Sequence, residues 1–171
     1  LEVARDTLVQ AATAAGIALK QTSVKEGKHL SHKAGRYAHA KQWRRMHKAI
    51  GRQRTVLGRL AREVERKACK SNDHTPIAAA VQQALSTTLN RAQRIWAQTA
   101  AKKNREGKGK LYAFHAPEVE CIGKGKSRQP YEFGVKVGIA STLRHNLIVG
   151  AKAFAGNPYD GHTLQPQLEQ A

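Results

Sequence analysis

Acidic side chains are scarce in this sequence. Its 171 residues include 12 Asp and Glu against 30 Lys and Arg, a formal net charge of +18 at pH 7. Asp occurs only at Asp6, Asp73 and Asp160. A complete two-metal nuclease, which gathers several carboxylates around its cations, is disfavoured on that count alone. Cysteine is limited to Cys69 and Cys121, with no C-x-x-C pair. Thiolate sites for zinc or an iron–sulfur cluster are therefore unsupported, and two reduced thiols are expected. Aromatic residues make up 5 % and hydrophobic residues 40 %, so a core has to be built from aliphatic side chains and Ala. No apolar run approaches the roughly 20 residues of a membrane-spanning helix, and no signal-peptide pattern is visible. The sole methionine is Met46 and the sequence opens on Leu1, which reads as a partial chain.

What the sequence has in excess is positive charge, and it is unevenly placed. Residues 1–110 hold 24 Lys and Arg against 7 Asp and Glu, whereas residues 111–171 hold 6 against 5. A charge of this size points to a polyanionic partner, usually nucleic acid. Residues 1–110 are therefore expected to form a basic helical region that faces the partner. Residues 111–171 are expected to pack around a small sheet.

Within the basic region, Leu1 to Leu19 has apolar residues at helical spacing, with Gly16 weakening its end. Lys20 to Tyr37 is polar, basic and interrupted by Gly27 and Gly35, and reads as a loop or frayed connection. Trp43 to Arg66 carries the clearest helical rhythm, with Trp43, Met46, Ile50, Leu57, Leu60 and Val64 at three-four spacing. Two places along from each stand Arg45, Lys48, Arg52, Arg59, Arg62 and Arg66. Two residues on a helix turn about 200°, so apolar and basic stripes lie on opposite faces. The basic stripe is the candidate DNA-binding face, one that tracks phosphates. A solvated face without a partner, a calmodulin-type target or a membrane-surface helix would show the same pattern. Gln53 interrupts the apolar stripe and argues against membrane burial. After a break over Lys70–His74, Thr75 and Pro76 read as N-cap and first residue of a second long helix to about Ala101. The two long helices are expected to pair as a hairpin. The basic run Lys102–Lys110 marks the domain boundary.

In residues 111–171, Leu111–Phe114 and Val119–Ile122 are short strand candidates. Tyr131 to Ala140 alternates, with Phe133, Val135, Val137 and Ile139 on one side, the period of a half-buried strand. A polar turn over Ser141–Asn146 returns the chain into a partner strand from Leu147 to Phe154. Asp160 is placed to cap a helix running through Leu164 and Leu168. The Gly123–Ser127 run lacks the spacing of a phosphate-binding loop and reads as a basic turn near a DNA backbone. Asp160 and His162 form a local pair without a third metal ligand, and the cap is the preferred role for Asp160. His29, His32, His39 and His47 lie among Lys and Arg that would repel a cation. Imidazoles in such company add positive charge at acid pH rather than ligate metal.

Three blocks carry a resemblance: HAPEVECIGKGK over His115–Lys126, PYEFGVKV over Pro130–Val137, and GNPYDGHTL over Gly156–Leu164. Lys20–Thr22 and Tyr37–Gln42 extend it toward the start, so it covers most of the chain. Together these resemble the core of a DDE-type transposase of a bacterial insertion sequence. The resemblance implies an RNase H-like fold in which two Asp and one Glu hold two divalent metals, Mg²⁺ or Mn²⁺ in the intact protein. It also implies that the first Asp lies upstream of Leu1–Asp6 and the other two carboxylates beyond the helix that begins near Asp160. The chain is then an internal fragment with no catalytic residue, metal ligand or cofactor of its own.

The expected fold class is α+β: a basic helical hairpin region inserted between core strands, then a partial RNase H-like core with a β-hairpin and a helix. The resemblance implies transposon-end DNA as partner, a homodimer as a possible state of the intact protein, no membrane contact, and a cytoplasmic, nucleoid-associated place in a bacterium. The alternative is a stand-alone basic nucleic-acid-binding protein of ribosomal or nucleoid type. A helix-turn-helix regulator ranks last, because neither helical pair has the compact spacing that motif needs.

Overall fold

The computed structural model describes residues 1–69, 76–100, 109–123, 125, 127 and 130–171. The expectations for Lys70–His74, for the Thr75 cap, for most of the Lys102–Lys110 linker and for Lys124 and Lys126 lie outside them. The protein is α+β. Among the described residues, five helices and two antiparallel strand pairs fall into two compact units, Leu1–Lys110 and Leu111–Ala171.

The first unit holds α1 (Glu2–Ala14), α2 (Val24–His39), α3 (Trp43–Ala68) and α4 (Pro76–Gln98). Helix α3 is central and touches the other three, and α1 also packs on α4. The expected two-helix hairpin is thus part of a four-helix arrangement. Its core is aliphatic and small: Ala4, Leu8 and Ala12 from α1, Val56, Leu57, Leu60, Ala61 and Val64 from α3, Leu85 and Ala92 from α4. Trp96 of α4 lies so close to Gly58 of α3 that a Cβ there would come within 2.5 Å of its Nε1. Arg54 sits over the same indole at 4.3 Å and donates to the Trp96 carbonyl at 3.1 Å. Helix α3 begins with Trp43 exposed, so the apolar stripe is buried over its later turns and open at its start.

The helix α2 corrects the sequence reading of Lys20–Tyr37 as a loop. Gly27 and Gly35 argue locally against a helix, but Gly27 is where α2 crosses α1. A Cβ on Gly27 would collide with Glu2 Oε2 and lie 2.7 Å from Arg5 Nε. Arg5 is 2 % exposed. It donates to both Glu2 oxygens at 3.0 and 2.8 Å, to Asp6 at 3.0 Å and to the Thr22 carbonyl at 3.0 Å. Burial works against its charge, and the Glu2 and Asp6 carboxylates outweigh burial, pushing its pKa up. The chain enters α2 through Ser23 in the left-handed region, φ 51°.

The second unit holds β1 (Glu120–Gly123), β2 (Tyr131–Gly134), β3 (Lys136–Ser141), β4 (Ile148–Phe154) and α5 (Asp160–Leu168). The expected continuous strand over Tyr131–Ala140 breaks at Val135, and its halves join different partners. β2 pairs with β1, with Phe133 opposite Cys121, and β3 pairs with β4, with Val137 opposite Ala153 and Ile139 opposite Ala151. The hairpin turn is as expected, closed by Asn146 with φ 51° and by the Leu147 amide donating to Thr142 Oγ1 at 3.1 Å. Leu111–Phe114 is not a strand. Leu111 and Phe114 are buried, but the chain bends at Tyr112 and again at Phe114–His115.

The face of the β3–β4 pair is opposite to the one expected. In β3, Val137 and Ile139 are exposed, whereas Lys136, Gly138 and Ala140 are partly covered; Phe133 of β2 is exposed too. The reason is α5, which packs on the glycine side. Gly138 and Gly150 let Gln167 come so close that a Cβ would lie 2.7 Å from its Oε1 at the first position and 3.1 Å from its Nε2 at the second. Gln167 is buried, and its amide has no hydrogen-bond partner among the described residues. Leu164 and Leu168 of α5 are exposed.

Candidate nucleic-acid interface

Lysine and arginine repeat along α3 at intervals of three, four and seven, so successive cations stack on one side of the cylinder. Arg45, Lys48, Arg52, Arg59, Arg62 and Arg66 are all exposed. The opposite side of the helix supplies much of the core, which fixes the stripe outward. The six are not equivalent. Arg52 Nε is bound to Glu26 of α2 at 2.6 Å, so one cation of the line is already neutralised. Arg45 donates to Gln42 Oε1 at 3.1 Å and its guanidinium lies 5.9 Å from the Tyr37 ring. Among the described residues Lys48, Arg59, Arg62 and Arg66 have no ion pair. Arg59 lines a cleft with Lys20 and Gln21, and Arg62 lines another with Gln93 and Trp96 of α4.

The sequence reading missed half of this surface. Helix α2 packs on α3 and exposes Lys25, Lys28, Lys33 and Arg36, with His29, His32 and His39 among them. The signal was present in Leu30, Ala34 and Tyr37, which fall at i, i+4 and i+7 and turn inward together. Residues 24–68 hold fourteen Lys or Arg against three Glu. Two of those Glu are engaged: Glu26 by Arg52, and Glu63 by Lys67 Nζ at 2.7 Å and by the Lys20 amide at 3.0 Å. The Lys67 hydrogen bond, followed by the Lys20 amide, holds the Glu63 carboxyl below its ordinary pKa. Lys67 also donates to the Ala18 carbonyl, so this knot ties the α1–α2 connection to α3.

In the second unit, Asp160 is the first residue of α5 rather than its cap. The N-cap position is Tyr159, and no side chain caps the helix. The Asp160 carboxylate pairs with Lys136 Nζ, which also donates to the Pro158 carbonyl at 2.5 Å. His162 stacks edge-on against Tyr159 instead, centroids 5.8 Å apart. The two side chains therefore face different partners, and an ammonium occupies the carboxylate that a cation would need. A cleft of about 600 Å³ lies between the β2–β3 break and the loop before α5, bordered by Tyr159 and Asp160. Among the described residues no group of three His, Cys, Asp or Glu is placed to hold a metal ion. Among them too, no helix is long and apolar enough to cross a membrane.

No family model, no curated protein and no solved structure matches this chain.

Proposed function

We propose that the chain belongs to a DDE-type transposase of a bacterial insertion sequence and that its helical unit holds DNA. The observation that carries the DNA-binding half is the outward, largely unpaired basic stripe of α3, widened by the cations of α2. Fixed cations on a rigid helix displace the counterions condensed on a duplex, which favours binding without reading base sequence. The transposase half rests on the sequence blocks His115–Lys126, Pro130–Val137 and Gly156–Leu164. On this reading the second unit is part of an RNase H-like core. The intact protein, a homodimer on this proposal, cuts and joins strands in the bacterial cytoplasm, at the nucleoid. On this reading the Mg²⁺ or Mn²⁺ chemistry of the intact protein belongs to carboxylates that the resemblance places outside this sequence.

The test is duplex binding by the purified chain across a salt series, with nicking assayed in the presence of Mg²⁺ and of Mn²⁺. Binding that weakens steeply with salt, without nicking, is expected. Absence of binding at low salt would overturn the proposal for α3, and nicking would overturn the assignment of chemistry elsewhere.

One observation favours the second reading, a stand-alone basic nucleic-acid-binding protein: the first unit buries a core of its own from α1, α3 and α4. The surrounding reading frame separates the two. An Asp at a strand end and a Glu on a later helix select the transposase.

A further inference from the structure

Resting on the reading of α2 and α3 as a nucleic-acid surface, we propose that the groove between these helices is a subsite for single-stranded nucleic acid, with Tyr37 as its stacking surface. The groove encloses about 470 Å³. Leu30, Ala49 and Tyr37 form its floor, and Lys33, Arg45, Lys48 and Arg52 its rim. Among the described residues no carboxylate lines it, and Glu26 stands beside it bound to Arg52. The floor belongs to the seam where α2 packs on α3, and it leaves apolar surface open between the cations. A nucleotide uses both parts, because a base has a flat π-face to lay on an aromatic ring while its phosphate is anionic.

The size and chemistry select the strand state. The volume lies within the range of clefts that take small ligands, about 300–1,000 Å³. Bases inside a duplex are stacked on one another and offer no free face to such a slot, whereas an unpaired base enters at a smaller unstacking cost. Tyr37 is half-buried and lines the groove. Arg45 stands 5.9 Å from the ring centroid, at the outer limit of about 6 Å for a cation–π contact. It is exposed, and it donates to Gln42, one residue ahead of its own helix. On this proposal Arg45 packs over a base laid on Tyr37, while Lys33 and Lys48 take the flanking phosphates.

The experiment measures anisotropy of a labelled oligothymidylate and of a labelled duplex of equal length with the full chain, at matched salt. Wild type is expected to bind the single strand more tightly than the duplex. Tyr37→Leu keeps an apolar side chain in the helix contact and removes the ring. It is expected to weaken the single strand by about 5- to 150-fold, the effect of losing one aromatic–base stack, with duplex affinity changed less than about twofold. Tyr37→Phe is expected to retain the preference. Equal losses on both ligands, or no change on either, would show that Tyr37 serves only the packing of α2 on α3. If Tyr37→Leu does not fold, the wild-type ratio decides: a single strand held no better than the duplex overturns the subsite. Duplex binding without that preference removes this inference alone, whereas no binding of either ligand removes the reading of α3 with it.

Discussion

Gly27 of α2 lies directly against the buried guanidinium of Arg5 in α1, with room for a hydrogen and none for a methyl group. The neighbouring atoms belong to side chains, but Arg5 is fixed by Glu2, Asp6 and the Thr22 carbonyl and does not swing aside cheaply. Gly27→Ala is therefore expected to destabilise the chain by about 1–3 kcal/mol, the usual cost of overpacking. That outcome opposes helix propensity, which favours Ala over Gly by about 1 kcal/mol. Gly35→Ala, in the same helix with no atom within 4 Å of its Cβ position, is expected to stabilise by about 0.5–1 kcal/mol. Urea midpoints of the two variants check the sign of each.

That pair of glycines also shows why α2 is easily misread as a loop, despite the helical spacing of Leu30, Ala34 and Tyr37. A glycine that breaks a helix and one that lets two helices touch are the same letter. Only the position of Arg5, seventeen residues from its acceptor Thr22, separates the two uses. Helix α3 is legible because its apolar and basic residues follow one local period, which burial matches from Val56 to Val64, although Trp43 at its start stays exposed. The strand from Tyr131 is an intermediate case. Its period of two defines two faces, but it does not say which one is covered. Val137 and Ile139 nominate their own side by hydrophobicity. Helix α5 takes the other side, because Gly138 and Gly150 allow Gln167 to approach. The candidate DNA-binding face is accordingly half visible in the sequence: six cations from α3, and none from a helix whose glycines imitate a loop.

The line of six cations predicts graded effects rather than equal ones. Arg62 and Arg66 have no ion pair among the described residues, so Arg62→Gln with Arg66→Gln removes two available phosphate partners. The slope of log K against log salt is expected to flatten by about 0.9 for each phosphate that is no longer neutralised. Arg52→Gln alone is expected to do less, since its charge is already met by Glu26 at 2.6 Å. The converse variant is the sharper check. Glu26→Gln releases Arg52 and is expected to tighten duplex binding severalfold, with little change in the denaturant midpoint because an exposed ion pair contributes little to stability. Weaker binding by Glu26→Gln would mean that Arg52 does not face the nucleic acid.

Glu63 sets a pH dependence through the knot that joins the α1–α2 connection to α3. Its carboxyl is held below its ordinary pKa by Lys67 and then by the Lys20 amide. A carboxyl whose pKa is lower in the folded state binds fewer protons there than when unfolded. Its contribution is therefore present above the ordinary carboxylate range and is lost as pH falls through the folded value. Glu63→Gln is expected to lower stability by about 1 kcal/mol at neutral pH, as for the loss of one hydrogen-bonded surface ion pair. The gap between variant and wild type should close at acid pH, where the wild-type carboxyl is protonated too. Denaturant midpoints of both proteins at neutral and at strongly acid pH measure it, and a constant gap would show that the carboxylate charge is irrelevant.

The orientation of the β3–β4 pair makes opposite demands on two adjacent residues. Ile139 is 62 % exposed, so its side chain loses little by becoming polar. Ile139→Thr keeps β-branching and is expected to change stability by no more than about 0.5 kcal/mol, as at other surface positions. Gly138 lies on the covered side, where a Cβ would come within 2.7 Å of Gln167 Oε1 and 3.1 Å of Phe154 Cε2. Gly138→Val therefore either displaces α5 or strains the hairpin, at a cost of about 1–3 kcal/mol. Had the alternation in the sequence marked the core directly, the order would be reversed, with Ile139→Thr leaving a buried hydroxyl and Gly138→Val facing solvent. Protection of the β3–β4 amides from hydrogen exchange in the two variants distinguishes these cases. Exchange that accelerates for Gly138→Val and not for Ile139→Thr places α5 on the glycine face in solution.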